Sequence, residues 1–309
     1  MIDFRTVDEW RIGNNEVVRA ALNGVTVWEH KKLSPFYVEN ITSETETLKI
    51  RKKGTYNQYQ YAPTITIEYS LDKSTWSTLG TTGTTDLTYT LQPGERIYLR
   101  ASTNAWSVSH VSGSYTDVYY NQIYGVSKVG GNIMSLLYGS NFTGCETSFP
   151  DGTNTTYVFA SILSRETPVD LGLIDAGELV LPATTLSAYC YEGLFGNLGL
   201  LVNIPIILPA TTLAEGCYKN MFNGCHSIVN APILPATTLT TFCYYTMFYN
   251  CLSLSHIKCA ATDISATNCT HHWVWRVASN GTFIKNPNMS SWSTGASGIP
   301  SGWTIQDAA

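Results

Sequence analysis

The chain has 309 residues and a formal net charge of −5, and its charged share of 13% is about half that of an ordinary globular protein. That length predicts two or three modules, each with enough apolar residues to bury a core. No basic stripe is available to neutralise phosphates, which excludes nucleic acid as an expected partner.

Residues 1–34 read as a small unit of their own. Val17, Val18, Ala20 and Leu22 on one side of Asn23-Gly24, and Val25, Val27 and Trp28 on the other, predict a hairpin closed by a tight turn. It buries too little to be stable alone. It is expected to pack on the next module, on a symmetry mate or on a larger assembly, with Trp10, Val25 and Trp28 as candidate anchor residues and a homo-oligomer as the expected state. The segment lacks the basic stretch followed by about 7–15 apolar residues that marks a secretion signal. For action outside cells the expected routes are assembly into a particle released by lysis, or removal of a signal from a longer precursor. Membrane insertion is not expected, because the most apolar run, Leu198 to Leu208, falls short of the roughly 20 residues that cross lipid and contains Asn203 and Pro205.

Residues 35–128 predict a β-sandwich. Leu48 to Ile50, Ile65 to Asp72, Leu87 to Leu91 and Arg96 to Ser102 are β-type runs about ten residues apart, punctuated by Asp72-Lys73-Ser74 and Pro93-Gly94-Glu95. Trp76 is expected at the core or at a corner. Tyr119, Tyr120 and Tyr124 are candidate binding residues, since aromatic rings serve glycan stacking and protein interfaces alike.

Residues 129–280 repeat. LPATTL begins at Leu181, Leu208 and Leu234, 27 and 26 residues apart, and the copies align Cys190, Cys217 and Cys243 with Tyr191, Tyr218 and Tyr244 beside them. Leu194-Phe195, Met221-Phe222 and Met247-Phe248 follow, then Leu198, Cys225 and Cys251. Weaker copies lie before and after, with Phe159 matching the tyrosine position and Cys269 near the cysteine slot. A unit this small cannot bury its own apolar face, so a solenoid is expected. LPATTL reads as a strand, and the run from each cysteine has the three-four spacing of a short helix. The recurring cysteines are expected as free, buried thiols. Tyr245 and Tyr249 have no role imposed by the repeat and are candidate binding residues. Residues 281–309 read as a C-terminal cap. Trp273, Trp275, Phe283, Trp292 and Trp303 are expected to cover the last copy.

No catalytic, metal or cofactor constellation is expected. Glu192 and Glu215 fall at variable positions and read as a solvated face. His271 and His272 are adjacent and expected to project apart, without ligands to complete a zinc site. Cys225-His226 reads as structural.

The stretch LPATTLAEGCYKNMFNGCHSIVNAPILPATTL resembles the BspA-like leucine-rich repeats of gut Bacteroides-type bacteria and their crAss-like phages. GTFIKNPNMSSWSTGASGIPSGWTI resembles the segment that ends such arrays, and GGNIMSLLYGSNF the one that starts them. RIGNNEVVRAALNGVTVWE is similar to N-terminal pieces of phage tail and virion proteins. The resemblance implies a mainly β fold with short helices: an attachment hairpin, a β-sandwich and a β/α leucine-rich-repeat solenoid with a cap. It also implies a non-enzymatic virion protein, a tail or head fibre or decoration, at the virion surface. Its expected partners are other virion proteins through residues 1–34 and a host-surface glycan or protein. The alternatives are a bacterial cell-surface adhesin and a purely structural decoration protein.

Overall fold

The computed structural model describes residues 33–53, 62–101, 103, 106–112, 115–150, 155–165, 172–289 and 292–308, and the backbone of 21–22 and 25–26. The protein is mainly β. Strands β1 (Ala21–Leu22) and β2 (Val25–Thr26) pair antiparallel, Leu22 opposite Val25, which is hairpin register.

Eight strands follow: β3 (Tyr37–Glu39), β4 (Glu46–Lys53), β5 (Thr66–Ser70), β6 (Ser77–Thr81), β7 (Leu87–Leu91), β8 (Arg96–Ala101), β9 (Ser107–Ser112) and β10 (Tyr115–Tyr124). They form two antiparallel arrangements, β7-β4-β10-β9 and β3-β8-β5-β6. Alternation sets their faces. Leu48 and Ile50 of β4, Ile97 and Leu99 of β8, and Ile67 of β5 are buried in one core, while their strand neighbours point outward. Both turns expected from sequence are present, with Lys73 and Gly94 at φ of 68° and 77°. Asp72 accepts bonds from the backbone N–H of Ser74 and Thr75, both 2.8 Å away, which pull its carboxyl well below the usual carboxylate range. Trp76 sits half-buried at that corner beneath the Arg100 guanidinium.

Strand β11 (Lys128–Asn132) joins the N-terminal unit to the repeats. It pairs antiparallel with β3 and parallel with β12 (Asp175–Val180), extending one sheet to β12-β11-β3-β8-β5-β6. Across this join Tyr37 donates to Glu178, and Lys128 bridges Glu178 and Glu39. Residues 155–165 dock on the same unit: the backbone N–H of Trp106 donates to Val158, that of Ile123 to Ile162, and the Gln122 amide to the Ser164 carbonyl. The one α-helix among the described residues, α1 (Ser135–Tyr138), lies between, its Leu136 carbonyl accepting from the buried Trp106 indole.

The runs after each repeat cysteine are turns and not the short helices that their spacing predicts. Every fourth residue is left-handed: Tyr189, Gly193 and Asn197; Gly216, Asn220 and Gly224; Phe242, Thr246 and Asn250; Asn268, His272 and Arg276. No right-handed α-helix tolerates that. Backbone N–H groups alternate in use. Cys190, Glu192 and Leu194 donate three residues back within the turn, whereas Tyr191, Gly193 and Phe195 donate to Cys217, Lys219 and Met221 of the next copy. A period of four mimics the helical period of 3.6 because it also brings apolar pairs back to one side. The LPATTL segments, expected as strands, are reduced to isolated parallel bridges, Thr185 to Thr212 and Ile207 to Ile233 among them. Pro182, Pro209 and Pro235 have no N–H with which to continue a ladder.

Adjacent copies stack their side chains. Phe159, Tyr191, Tyr218, Tyr244 and Trp273 form one column of buried rings, with centroids 5.9 to 6.2 Å apart. Phe195, Phe222 and Phe248 form a second, spaced 5.2 and 5.6 Å. All eight cysteines are free, and every one but Cys145 is buried. Past the repeats, β13 (His256–Cys259), β14 (Thr282–Lys285) and β15 (Thr304–Asp307) pair in parallel. Trp273, Phe283 and Trp292 cluster at this end, with the Trp303 indole donating to Ala278. Trp275, expected in the cap, is exposed instead.

Candidate functional site

The turn ribbons carry the surface chemistry of the repeats. In each four-residue turn two side chains enter the core, and the left-handed residue and the one before it lie on the other side of the ribbon. Most of these positions are small or polar: Gly193, Gly196, Gly216 and Gly224 are covered by their neighbours, Asn220 and Asn223 are half-buried, and Asn197 is exposed. The last two ribbons depart from that pattern. Phe242 and Tyr245 meet edge to face at 5.6 Å, Tyr245 stacks on His271 at 5.0 Å, His271 on His272 at 4.0 Å, and His272 tilts against Trp275 at 5.5 Å. The result is a continuous run of five rings at the surface. Tyr249 occupies in its own copy the position that Trp275 occupies in the next, since Gly224 donates to Tyr249 as Asn250 donates to Trp275.

The adjacent histidines, expected to project apart, are thus stacked. The cause is local: His272 is left-handed, at φ 49°, and the chain reversal there returns its ring over that of His271. No group of three metal-ligating side chains occurs among the described residues.

Of the sequence candidates, Tyr245 and Tyr249 lie on this platform, each half-buried. Tyr119 and Tyr120 do not serve as a binding surface. Both rings are buried, and since adjacent residues of β10 point to opposite faces of its sheet, both faces are covered at this point. Tyr124, at the end of β10, stays half-buried; its hydroxyl donates to Asp86 and the Arg51 guanidinium lies 4.0 Å from its ring centre. It edges a small pocket between the N-terminal unit and the first copy, lined also by Gln122, Arg165, Leu173 and Leu198. Of the anchor candidates, Val25 lies in β2, and Trp10 and Trp28 lie outside the described residues.

No protein-family model, curated protein or solved structure matches this chain.

A second cluster lies on the earlier ribbons. Tyr157 and Tyr189 stack at 4.7 Å, Tyr189 donates to Glu215, and Lys219 pairs with Glu192 at 2.8 Å. Glu192 is not on a solvated face: burial pushes its carboxyl up, with Lys219 opposing. These groups satisfy one another. The clue missed in the sequence was that Phe242 and His272 stand at the left-handed turn positions that Gly216 fills in the copy before Phe242 and Thr246 in the copy before His272.

Proposed function

We propose that the chain is a non-enzymatic virion structural protein, a tail or head fibre or decoration component, whose leucine-rich-repeat solenoid of BspA-like type binds a host-surface molecule. The observation that carries this reading is the platform of Tyr245, His271, His272 and Trp275, whose ring contacts of 4.0 to 5.5 Å are held on stacked copies of one motif. Large, preorganised aromatic side chains on a rigid scaffold lose little side-chain entropy on binding, which suits a recognition surface. The backbone bonds between successive copies, Tyr191 to Cys217 and Tyr218 to Cys243 among them, support a solenoid reading. The two sheets ahead of it act as a β-sandwich that closes its N-terminal end. Residues 1–34, similar to virion attachment pieces, attach the chain to other virion proteins and to further copies of itself.

Mass spectrometry of purified particles tests the reading, with cryo-electron microscopy to place the chain. The expected result is this chain in stoichiometric amount with residues 1–34 against the particle and the repeats outward. Particles free of it overturn the proposal. Detection on bacterial envelopes instead places the chain as a surface adhesin.

A further inference from the structure

Charge is distributed unevenly along the chain. Between Glu215 and Asp307 the only carboxylate is Asp263, whereas Lys219, Lys258, Arg276 and Lys285 fall in the same interval with four histidines. A chain acidic as a whole is therefore cationic in its last repeats and cap. Asp263 bridges Thr238 on the LPATTL side and not on a turn ribbon. On the ribbons, the platform continues directly from Trp275 into exposed Arg276, itself left-handed at φ 59°.

We propose that this platform binds an acidic oligosaccharide, with a pyranose face stacked on the exposed Trp275 ring beside His272 and the anionic group paired with Arg276. Sugar rings present a face of weakly positive C–H groups, which matches the negative face of an aromatic ring. Guanidinium gives a carboxylate or sulfate two parallel donors, a preference that neutral sugars do not satisfy. An apolar protein partner is less well matched, since imidazole and guanidinium interrupt the aromatic surface. The inference rests on the reading of the repeats as a recognition surface and names the class of its ligand.

The test is an array of carboxylated, sulfated and neutral oligosaccharides probed with the full chain. Retention on acidic members is expected, carboxylated and sulfated sets separating the two sources of charge. Trp275→Ala and His272→Gly each lower that retention by about tenfold, the size of one ring-stacking contact. Leu71→Ser, at an exposed turn of the N-terminal unit, leaves it unchanged. His272→Gly relieves backbone strain, so its melting temperature stays at or above that of the parent and its loss of binding is not a loss of fold. Equal retention of neutral and acidic members, no retention, or binding indifferent to Trp275→Ala overturns the assignment. A chain that is present in virions but retained by no glycan overturns this inference alone; a chain that binds acidic glycans but is absent from virions overturns the virion reading alone.

Discussion

The Cys225 thiol donates to the carbonyl oxygen of Phe195, 3.1 Å away in the preceding copy, and Cys251 repeats the contact with Phe222 one copy on. A buried backbone carbonyl thereby gains a partner from a side chain small enough to sit between stacked rings. Cys225→Ala removes the donor and leaves a small void, at an expected cost of about 1–2 kcal/mol. Urea unfolding measures it, and an unchanged midpoint shows that the contact contributes nothing.

Alkaline pH should weaken the fold. Burial pushes the thiols of Cys225, Cys243 and Cys259 up to about 12. In the unfolded chain a thiol ionises near pH 8.5, roughly. Below that value both states hold the proton and these groups leave stability unaffected. Above it the unfolded chain releases protons that the folded chain retains, so stability falls until the folded thiols ionise in turn, by up to about 1.4 kcal/mol per pH unit for each thiol. The buried tyrosines Tyr218 and Tyr244, raised by the same desolvation, add to the loss at higher pH. Urea midpoints at pH 8 and pH 10 check this. Equal midpoints mean that the thiols are not buried.

What was legible in the sequence was whatever depends on burial alone. Short β-type runs between turn signals located β4, β5, β7 and β8, and the identity of residues across copies located the ring columns of Tyr191, Tyr218 and Tyr244. Backbone sign was not legible. Cys190-Tyr191 and Leu194-Phe195 recur four residues apart in both a helix and a ribbon of four-residue turns, and only the left-handed φ of Tyr189, Gly193 and Asn197 separates the two. The platform was half-legible for the same reason. Tyr245 and Tyr249 stood out as departures from the repeat, but the stacking of His271 on His272 needs the reversal at His272, which neither residue type announces.

Leu208, fully buried at the start of an LPATTL segment, has its backbone N–H on Ile233 of the next copy. Leu208→Asp places a carboxylate there with no cation to meet it. The expected cost exceeds about 4 kcal/mol, seen as loss of the folded circular dichroism signal or a sharply lower melting temperature. A native melting temperature means that the copies do not pack as described.

The N-terminal unit and the repeats should unfold together. β11 pairs with β3 on one side and β12 on the other, and Ile123 and Gln122 of β10 bond to Ile162 and Ser164. Melting either unit exposes the other's sheet edge and buried carbonyls, which favours a single transition. Calorimetry across the full chain should give one peak that coincides with the loss of tryptophan fluorescence. Two resolved peaks would make the join a mere tether.

Substitutions at the turn positions should change stability with opposite signs according to what each copy places there. Gly216 has φ of 58°, and a Cβ built on it lies 2.3 Å from the Tyr189 ring, which covers it. Gly216→Ala therefore adds a strained backbone to a steric clash, and a cost above about 2 kcal/mol is expected, since the ring must lift away from its contact with Tyr157. His272→Gly runs the other way. It frees a left-handed residue whose side chain is exposed and whose stacking contacts are open to water, and a gain of about 0.5–1 kcal/mol is expected. Thermal unfolding of the pair decides the matter. If both lower stability equally, the packing of His272 on His271 and Trp275 outweighs the relief of its backbone.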